Sequence, residues 1–529
     1  MSFSVMQRLL AAHGRKLVGM GVMGTAAGIA YARDHNPFEP SFRFFRTTSV
    51  ATSIAFDFQL SKCENDKECW AQLHSRSAQK LLTLCLRHGG VYVKAGQYMA
   101  TLTHVLPAEY TQTLSKLQDH AKPSPFGDVV RLFKQEHKRH PNEIFSWFDP
   151  NPIAAASLAQ VHRATLRHSR KEVAVKIQYP RLHQLFISDL LTMTNVCRSV
   201  MYFYPNLDLM WMVDEFRSNL MKELDFSLEG RSAERVAKLF AWRNDVAVPK
   251  IFWRWTTAKI LVMDYIDGVK VNNVNSLKML NFDPREVGTI VCDVFAEMIF
   301  EHGFVHGDPH PGNILVRPRP GNKSKPQIVL LDHGLYQELS DEFRVDYCEL
   351  WKACIQLDRN KIREISAKFN VEPYYKFFPL VFTFRALPEE GSLCGKLGDP
   401  ITKEEVLKQI QGLGVEFNAG GVTESLNKFL SSLPRQMLLI LKTQNLVRHI
   451  NKELGGSTIR RIGSMFDHAV RGVYVETCYR SWWRKLLSNL IAEFNVLRLR
   501  LVLLYLEAGA RWRDFDWRHL RFRTRLMIG

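Results

Sequence analysis

The stretch that most constrains this chain runs from residue 304 to 334 and reads FVHGDPHPGNILV, RPRPGNKSKPQ, IVLLDHG. Two short apolar runs, residues 314–316 and 328–331, flank a segment rich in Pro, Gly and Lys, which is the pattern of a β-hairpin. Such a hairpin puts Asn313 at the start of one strand and Asp332 at the end of the other, so both side chains can reach one point. A carboxylate and an amide oxygen aimed at one point suit Mg²⁺. That hard cation takes oxygen ligands and completes its shell with waters and phosphate oxygens. Asp308 is left to orient or deprotonate a nucleophile. Two other arrangements stay open on these residues alone. One is a buried turn in which His306, Asp308 and His310 satisfy one another. The other is an H-x-D-x-H transition-metal site of metallohydrolase type.

The spacing of Asp308, Asn313 and Asp332-His333-Gly334 is that of a protein-kinase catalytic loop followed by D-F-G, with His in place of Phe. The rest of the chain can be tested against that pattern. Residues 153–164 read IAAASLAQVHRA and, after a turn near residues 168–171, EVAVKIQY follows. In the second run Val173, Val175 and Ile177 alternate with Ala174 and Lys176, so Lys176 lies on the small-residue face of a strand. A lysine buried there needs an anion, or it costs several kcal/mol. The layout matches a phosphate-covering loop leading into V-A-I-K. The covering loop here is Ile153, Ala154, Ala155, Ala156, Ser157, Leu158, Ala159, Gln160 and Val161, with alanines where a protein kinase has glycines. Residues 213–239 read as one long helix with Asp225 and Glu229 a turn apart, and Glu229 is the candidate partner for Lys176. A strand over residues 260–263 runs into a hinge at 264–268, where the backbone of Asp264 and Ile266 would meet adenine. A helix over 283–302 leads into the catalytic loop. After Gly334 the sequence enters another helix, 341–357, almost at once. That leaves no segment ending in A-P-E to hold a peptide, which favours a small-molecule kinase or an ATPase over ordinary protein phosphorylation.

The net charge of +18 points to an anionic partner. The first 33 residues carry Arg8, Arg15, Lys16 and Arg33 and no acid, the profile of a mitochondrial targeting segment. The apolar run over residues 17–32 is at the short edge of a membrane span, so residues 1–35 are a cleaved leader or an anchor. Gly19, Gly21 and Gly24 match a dinucleotide fingerprint in letters only, without the surrounding βαβ unit. The nine cysteines are scattered and odd in number, which suggests reduced thiols. Residues 75–87 and 91–105 read as helices broken at Gly89-Gly90. In the second, Lys94, Gln97 and Tyr98 share a face, and Gly96 lets that face approach another backbone. From residue 480 to the end, eleven Lys and Arg stand against four acids, with Trp482, Trp483, Trp512 and Trp517 interleaved. Arg with Trp suits an anionic membrane surface, and no RNA-binding signature accompanies it.

Together these motifs resemble the aarF-domain (UbiB-type) atypical kinases over residues 75 to 340. The resemblance rests on Lys94-Ala95-Gly96-Gln97, the Ala-rich loop, Lys176, Glu223-Leu224-Asp225 with Glu229, Asp308-Pro-His-Pro-Gly-Asn313 and Asp332-His-Gly. It implies an α+β, bilobal protein-kinase-like fold: a leader over 1–35, a helical extension over 36–135, an N-lobe over 136–266, a C-lobe over 267–475 and a basic tail over 476–529. It implies ATP and Mg²⁺ as cofactors, a nucleotide and anionic mitochondrial membrane lipids as partners, no nucleic acid, and a link to ubiquinone and lipid homeostasis. It turns Lys94, Gln97, Glu223 and Asp225 into a regulatory element. His333 departs from D-F-G and is expected to alter inactive-state switching more than Mg²⁺ binding. A pseudokinase scaffold at the inner membrane and a protein kinase with unusual substrate access are the alternatives.

Overall fold

The computed structural model describes residues 38–61, 66–102, 106–119, 123–179, 182–203, 210–383, 429 and 432–475. The leader, the glycine fingerprint and the basic tail lie outside the described residues. Among the described residues no helix is long and apolar enough to cross a membrane.

The chain passes between two compact units, Met1–Arg231 with Lys250–Ile266 and Ser232–Pro249 with Asp267–Gly529. In the first unit, helices α1 (Glu39–Leu60), α2 (Lys67–His88) and α3 (Gly90–Thr101) precede α4 (Phe126–His137) and a sheet. Asp66 starts α2 by accepting the amides of Glu68 and Cys69 at 2.9 and 3.2 Å, an N-cap that satisfies donors the helix itself cannot. Gly89 and Gly90, at φ 66° and 47°, make the break before α3, a left-handed pair that costs glycine little. The sheet has the order β1 (Phe145–Phe148), β3 (Ala159–Leu166), β4 (Glu172–Gln178), β6 (Ile260–Asp264), with β2 (Ala154–Ala155) added beside β3. As the alternation requires, Val173, Val175 and Ile177 bury one face against Phe133 of α4 and against Ile260 and Val262. On this unit also lie α5 (Leu182–Phe203) and α6 (Met210–Glu223).

The helix expected over 213–239 is two helices, α6 and α7 (Phe226–Leu239). Asp225 causes the break. Its carboxylate accepts from the Ser227 amide at 2.9 Å and the Ser227 hydroxyl at 2.6 Å, a local bond that competes with the helical ladder. Gln178 of β4 then takes the freed carbonyl of Leu224 at 2.7 Å and that of Ala258 at 3.1 Å.

In the second unit, α8 (Pro284–Glu297) runs into a π-helical turn, Met298–His302. Helix α9 (Asp341–Gln356) packs against that turn, and α10 (Arg435–Glu453) and α11 (Thr458–Val475) pack against α8. Strands β5 (Val246–Ala247), β10 (Asn322–Leu330), β9 (Ile314–Arg319) and β7 (Val269–Lys270) form one sheet in that order. β8 (Phe304–His306) pairs with β11 (Tyr336–Glu338). Residues 232–249 join this unit because Val246 and Ala247 pair in parallel with Ile328 and Val329, and because Val236 and Phe240 lie in its core.

The expectation of reduced thiols holds for Cys85, Cys197, Cys292, Cys348 and Cys354. It fails at Cys69, which is disulfide-bonded. A pairing of that kind needs close Cα atoms, which sequence dispersion does not measure.

Candidate functional site

Each unit carries its own part of the expected site. In the first, Lys176 rises from β4 on the face opposite the core and meets Glu229 in the first turn of α7. Its Nζ lies 2.7 and 2.9 Å from the two carboxylate oxygens. Both side chains are largely buried, at 14% and 5% exposure, so the lysine has the anion its position demanded. The ammonium also sits 5.1 Å from the Phe226 ring centre. A Cβ on Gly230 would come within 2.9 Å of Trp253, so the residue after Glu229 lets α7 lie close to that ring.

The Ala-rich loop is a tight return between β2 and β3, closed by the Ala156 amide on the Ala159 carbonyl at 2.7 Å. Ile153, Ala154, Ala155 and Ala156 are exposed, Ser157 and Val161 half-buried, and Leu158, Ala159 and Gln160 buried. Leu158 packs with Val91 and Leu182. The Gln160 side chain accepts the Ser124 amide at 2.7 Å and contacts His162 at 3.0 Å. The portion open to a ligand is therefore residues 153–157. Tyr179, which the sequence did not single out, donates its hydroxyl to the Ala156 carbonyl at 2.9 Å and fixes the loop tip from below.

Lys94 of α3 reaches Glu223, the last residue of α6, at 2.6 Å. The two other members of the expected element point elsewhere. Gln97 donates to the Leu117 carbonyl at 3.0 Å, and Asp225 caps α7. A Cβ on Gly96 would run into the Leu117 side chain and lie 3.1 Å from the Cys85 sulfur. The glycine thus admits side chains, not a second backbone. At the expected hinge, the Asp264 amide donates to the Lys250 carbonyl at 2.9 Å and the Tyr265 amide to the Glu172 carbonyl at 3.2 Å. The backbone of Asp264 can therefore offer a ligand its carbonyl and not its amide.

In the second unit the hairpin is β9 and β10, in register from Leu330 opposite Ile314. The Leu331 amide donates to the Asn313 carbonyl at 3.0 Å, which puts Asn313 and Asp332 side by side at the open end. Asn313 Nδ2 donates to the Asp308 carbonyl at 3.2 Å, so its Oδ1 is the atom left to accept. Asp332 Oδ1 accepts the Gly334 amide at 2.9 Å. An amide oxygen and a carboxylate on adjacent strand ends fit Mg²⁺. The transition-metal alternative loses its ligands. His306 Nδ1 accepts the Asp308 amide at 3.1 Å and His310 Nδ1 the Gly312 amide at 3.2 Å. Among the described residues there is no group of three His, Cys, Asp or Glu able to hold a metal ion. Burial holds the His306 imidazole below its ordinary pKa, so it stays neutral.

The floor of this part is an aromatic column. His333 Nε2 bonds the Leu330 carbonyl at 3.1 Å and Nδ1 the Tyr336 hydroxyl at 2.9 Å. Tyr336 stacks on Phe304 at 4.4 Å, and the Arg235 guanidinium of α7 lies 4.1 Å from the Phe304 ring centre. Arg235 also pairs with Glu338 at 2.7 Å, the residue opposite Phe304 in the β8–β11 register. His333 is thus a hydrogen-bonded post where D-F-G has an apolar ring. His333→Phe, which restores D-F-G, should lower stability by about 1–3 kcal/mol, because two partners lose their bonds. Adding Tyr336→Phe should return part of that. Urea denaturation of the single and double variants checks it, and a single variant as stable as the native chain would overturn it.

The fold and these two parts define a kinase-like protein. A family model described as the ABC1 atypical kinase-like domain matches residues 116–366. AarF domain-containing protein kinase 1 of Xenopus laevis is 40% identical over 385 residues, covering 73% of this chain and 72% of that protein. The Gallus gallus protein of the same name is 34% identical over 506 residues, covering 93% and 95%. A probable serine/threonine-protein kinase of Dictyostelium discoideum, abkD, is 39% identical over 440 residues, covering 82% of this chain and 61% of its own length. The chain belongs to the ABC1/AarF atypical kinase family.

Proposed function

We propose that this member of the family binds ATP with Mg²⁺ and either hydrolyses it or transfers its terminal phosphoryl group to a small or lipid-like acceptor. The observation that carries this is the formed Lys176–Glu229 pair together with Asn313 and Asp332 side by side. Lys176 would take the α- and β-phosphate oxygens, and Glu229 would hold its ammonium in place. Residues 153–157 would cover the phosphates. The Asp264 carbonyl and the Ile266 backbone would receive adenine. Asn313 and Asp332 would hold Mg²⁺, which supplies charge neutralisation at the phosphates when bound. Asp308, kept in place by its backbone bonds to Asn313 and His306, would orient the attacking oxygen. Only residues 335–340, including β11, separate Gly334 from α9. That span is too short for a peptide-holding segment, which supports a non-peptide acceptor.

The mitochondrial location rests on the basic, acid-free leader, and a role in lipid or ubiquinone homeostasis on the family resemblance. Membrane association rests on the Arg- and Trp-rich tail. A steady-state ATPase assay of the full chain, with and without Mg²⁺ and cardiolipin-containing vesicles, tests both proposals. Mg²⁺-dependent turnover that rises with vesicles, and loses that rise when residues 480–529 are removed, is the expected result. Nucleotide-dependent thermal stabilisation without turnover would instead favour a pseudokinase scaffold.

The Lys94–Glu223 pair is read as a regulatory tie. It joins α3 to the end of α6, one residue before the Leu224 carbonyl that Gln178 holds on the strand of Lys176. Lys94→Ala should therefore change the ratio of ATP to ADP affinity by severalfold, or permit phosphate incorporation into the chain. Stability should fall by only about 1 kcal/mol, since the pair is partly solvated. Isothermal titration with both nucleotides checks this. Unchanged ratios with no incorporation would leave Lys94 as a surface lysine.

A further inference from the structure

Helix α1 shows an apolar face that the fold does not use. Phe38, Phe42 and Phe45 are 59%, 63% and 60% exposed. They fall at i, i+4 and i+7, so they line one side of the first turns. The helix cannot roll to bury them, because its other side is pinned. Arg43 gives two bonds to the Asp189 carboxylate at 2.9 and 2.6 Å and a third to the His88 carbonyl at 2.8 Å. Thr47 meets the Tyr92 hydroxyl at 2.7 Å. Arg43 and Asp189 are both buried, so releasing them to rotate the helix would strand two charges in the interior. Rings arranged this way mark a surface built for a partner.

The chain on the N-terminal side identifies the partner's chemistry. The apolar run of residues 17–32 ends five residues before the helix surface begins, and the segment up to residue 33 carries basic charges only. Five or six extended residues span about 20 Å at most. Any bilayer that receives that run therefore lies within reach of Phe38. Arg46 is the only charged residue among the exposed positions from 38 to 49, and the whole chain is strongly cationic. Rings at one depth with an arginine beside them suit the boundary between headgroups and acyl chains of an anionic bilayer.

We propose that Phe38, Phe42 and Phe45, with Arg46 at the headgroups, form a lipid-contact face that lays α1 on an anionic membrane. The residues of this face are none of those assigned to the nucleotide and none of the C-terminal tail, so failure of this proposal can be told from failure of those readings. The test uses the full chain with an environment-sensitive fluorescent amino acid at position 42, and in a second preparation at Lys361 of the other unit, whose side chain is 40% exposed. Each is mixed with phosphatidylcholine vesicles, with and without cardiolipin, whose acyl chains carry bromine. Quenching at position 42 but not at 361, stronger with cardiolipin, is the expected result. In the chain without residues 480–529, the combined Phe38→Ser, Phe42→Ser and Phe45→Ser variant should float with vesicles about tenfold less well. A probe at position 42 that stays unquenched while the protein floats would overturn the proposal. So would a triple variant that floats normally but changes from a dimer to a monomer in light scattering, which would make the face an interface between copies.

Discussion

Asp332→Asn is expected to abolish ATP turnover while leaving the fold intact. One Asp332 oxygen accepts the Gly334 amide, and the asparagine oxygen can keep that bond. The local turn therefore survives. What is lost is the negative charge offered to the metal, and the second carboxylate oxygen becomes an NH₂ that points hydrogens at a cation. A metal ion's charge at the phosphates is worth several kcal/mol at the transition state. A loss of about 4 kcal/mol corresponds to roughly a thousandfold in rate. The melting temperature without nucleotide should stay close to that of the native chain, while the added stabilisation by ATP with Mg²⁺ should disappear. Native-like turnover in this variant would refute the assignment of Asp332. Native-like melting with lost turnover would separate the chemical role from a structural one, which is the distinction the buried-turn interpretation of this stretch fails to make.

The parts of the site that were legible in the sequence are those set by short-range pattern. The alternation through Val173, Val175 and Ile177 fixed which face Lys176 had to occupy, and a lysine on that face of a strand demanded a carboxylate. The hairpin spacing set Asn313 beside Asp332 for the same reason. The helix break at Leu224 was not legible, because an aspartate and a serine two apart read equally well inside a helix. What holds the break from outside is Gln178 on the Leu224 carbonyl, and that bond crosses 46 residues. Gln97 misled for a related reason. Its periodicity placed it on the face of Lys94, but the acceptor it found, Leu117, comes from a separate turn. Tyr179 and Tyr336 carried no motif, since their work is to hold backbone and imidazole groups that only the folded chain brings to them. The disulfide at Cys69 is likewise a property of distance, not of spacing.

The second large effect is expected at the Lys176–Glu229 pair, and it separates what the pair does for the fold from what it does for the reaction. Glu229 is 5% exposed. Lys176→Met keeps most of the volume of the lysine but removes the cation that faces this carboxylate. Breaking one side of a buried pair costs about 3–5 kcal/mol, because the remaining charge stays in the interior without that partner. Glu229→Gln should cost less, since Lys176 is more exposed at 14% and can turn toward water. The double variant with methionine at both positions should recover much of the loss, because apolar residues of similar volume replace a buried pair at little net cost. Turnover should not return with the fold. Neither methionine can hold a phosphate oxygen, so the double variant should be stable and inactive. Urea denaturation of Lys176→Met, Glu229→Met and the double variant closes a cycle whose coupling reports the pair, and the ATPase assay is run on the same samples. A Lys176→Met variant as stable as the native chain would show that Glu229 is adequately held by other groups. A double variant that regains turnover would remove Lys176 from the site.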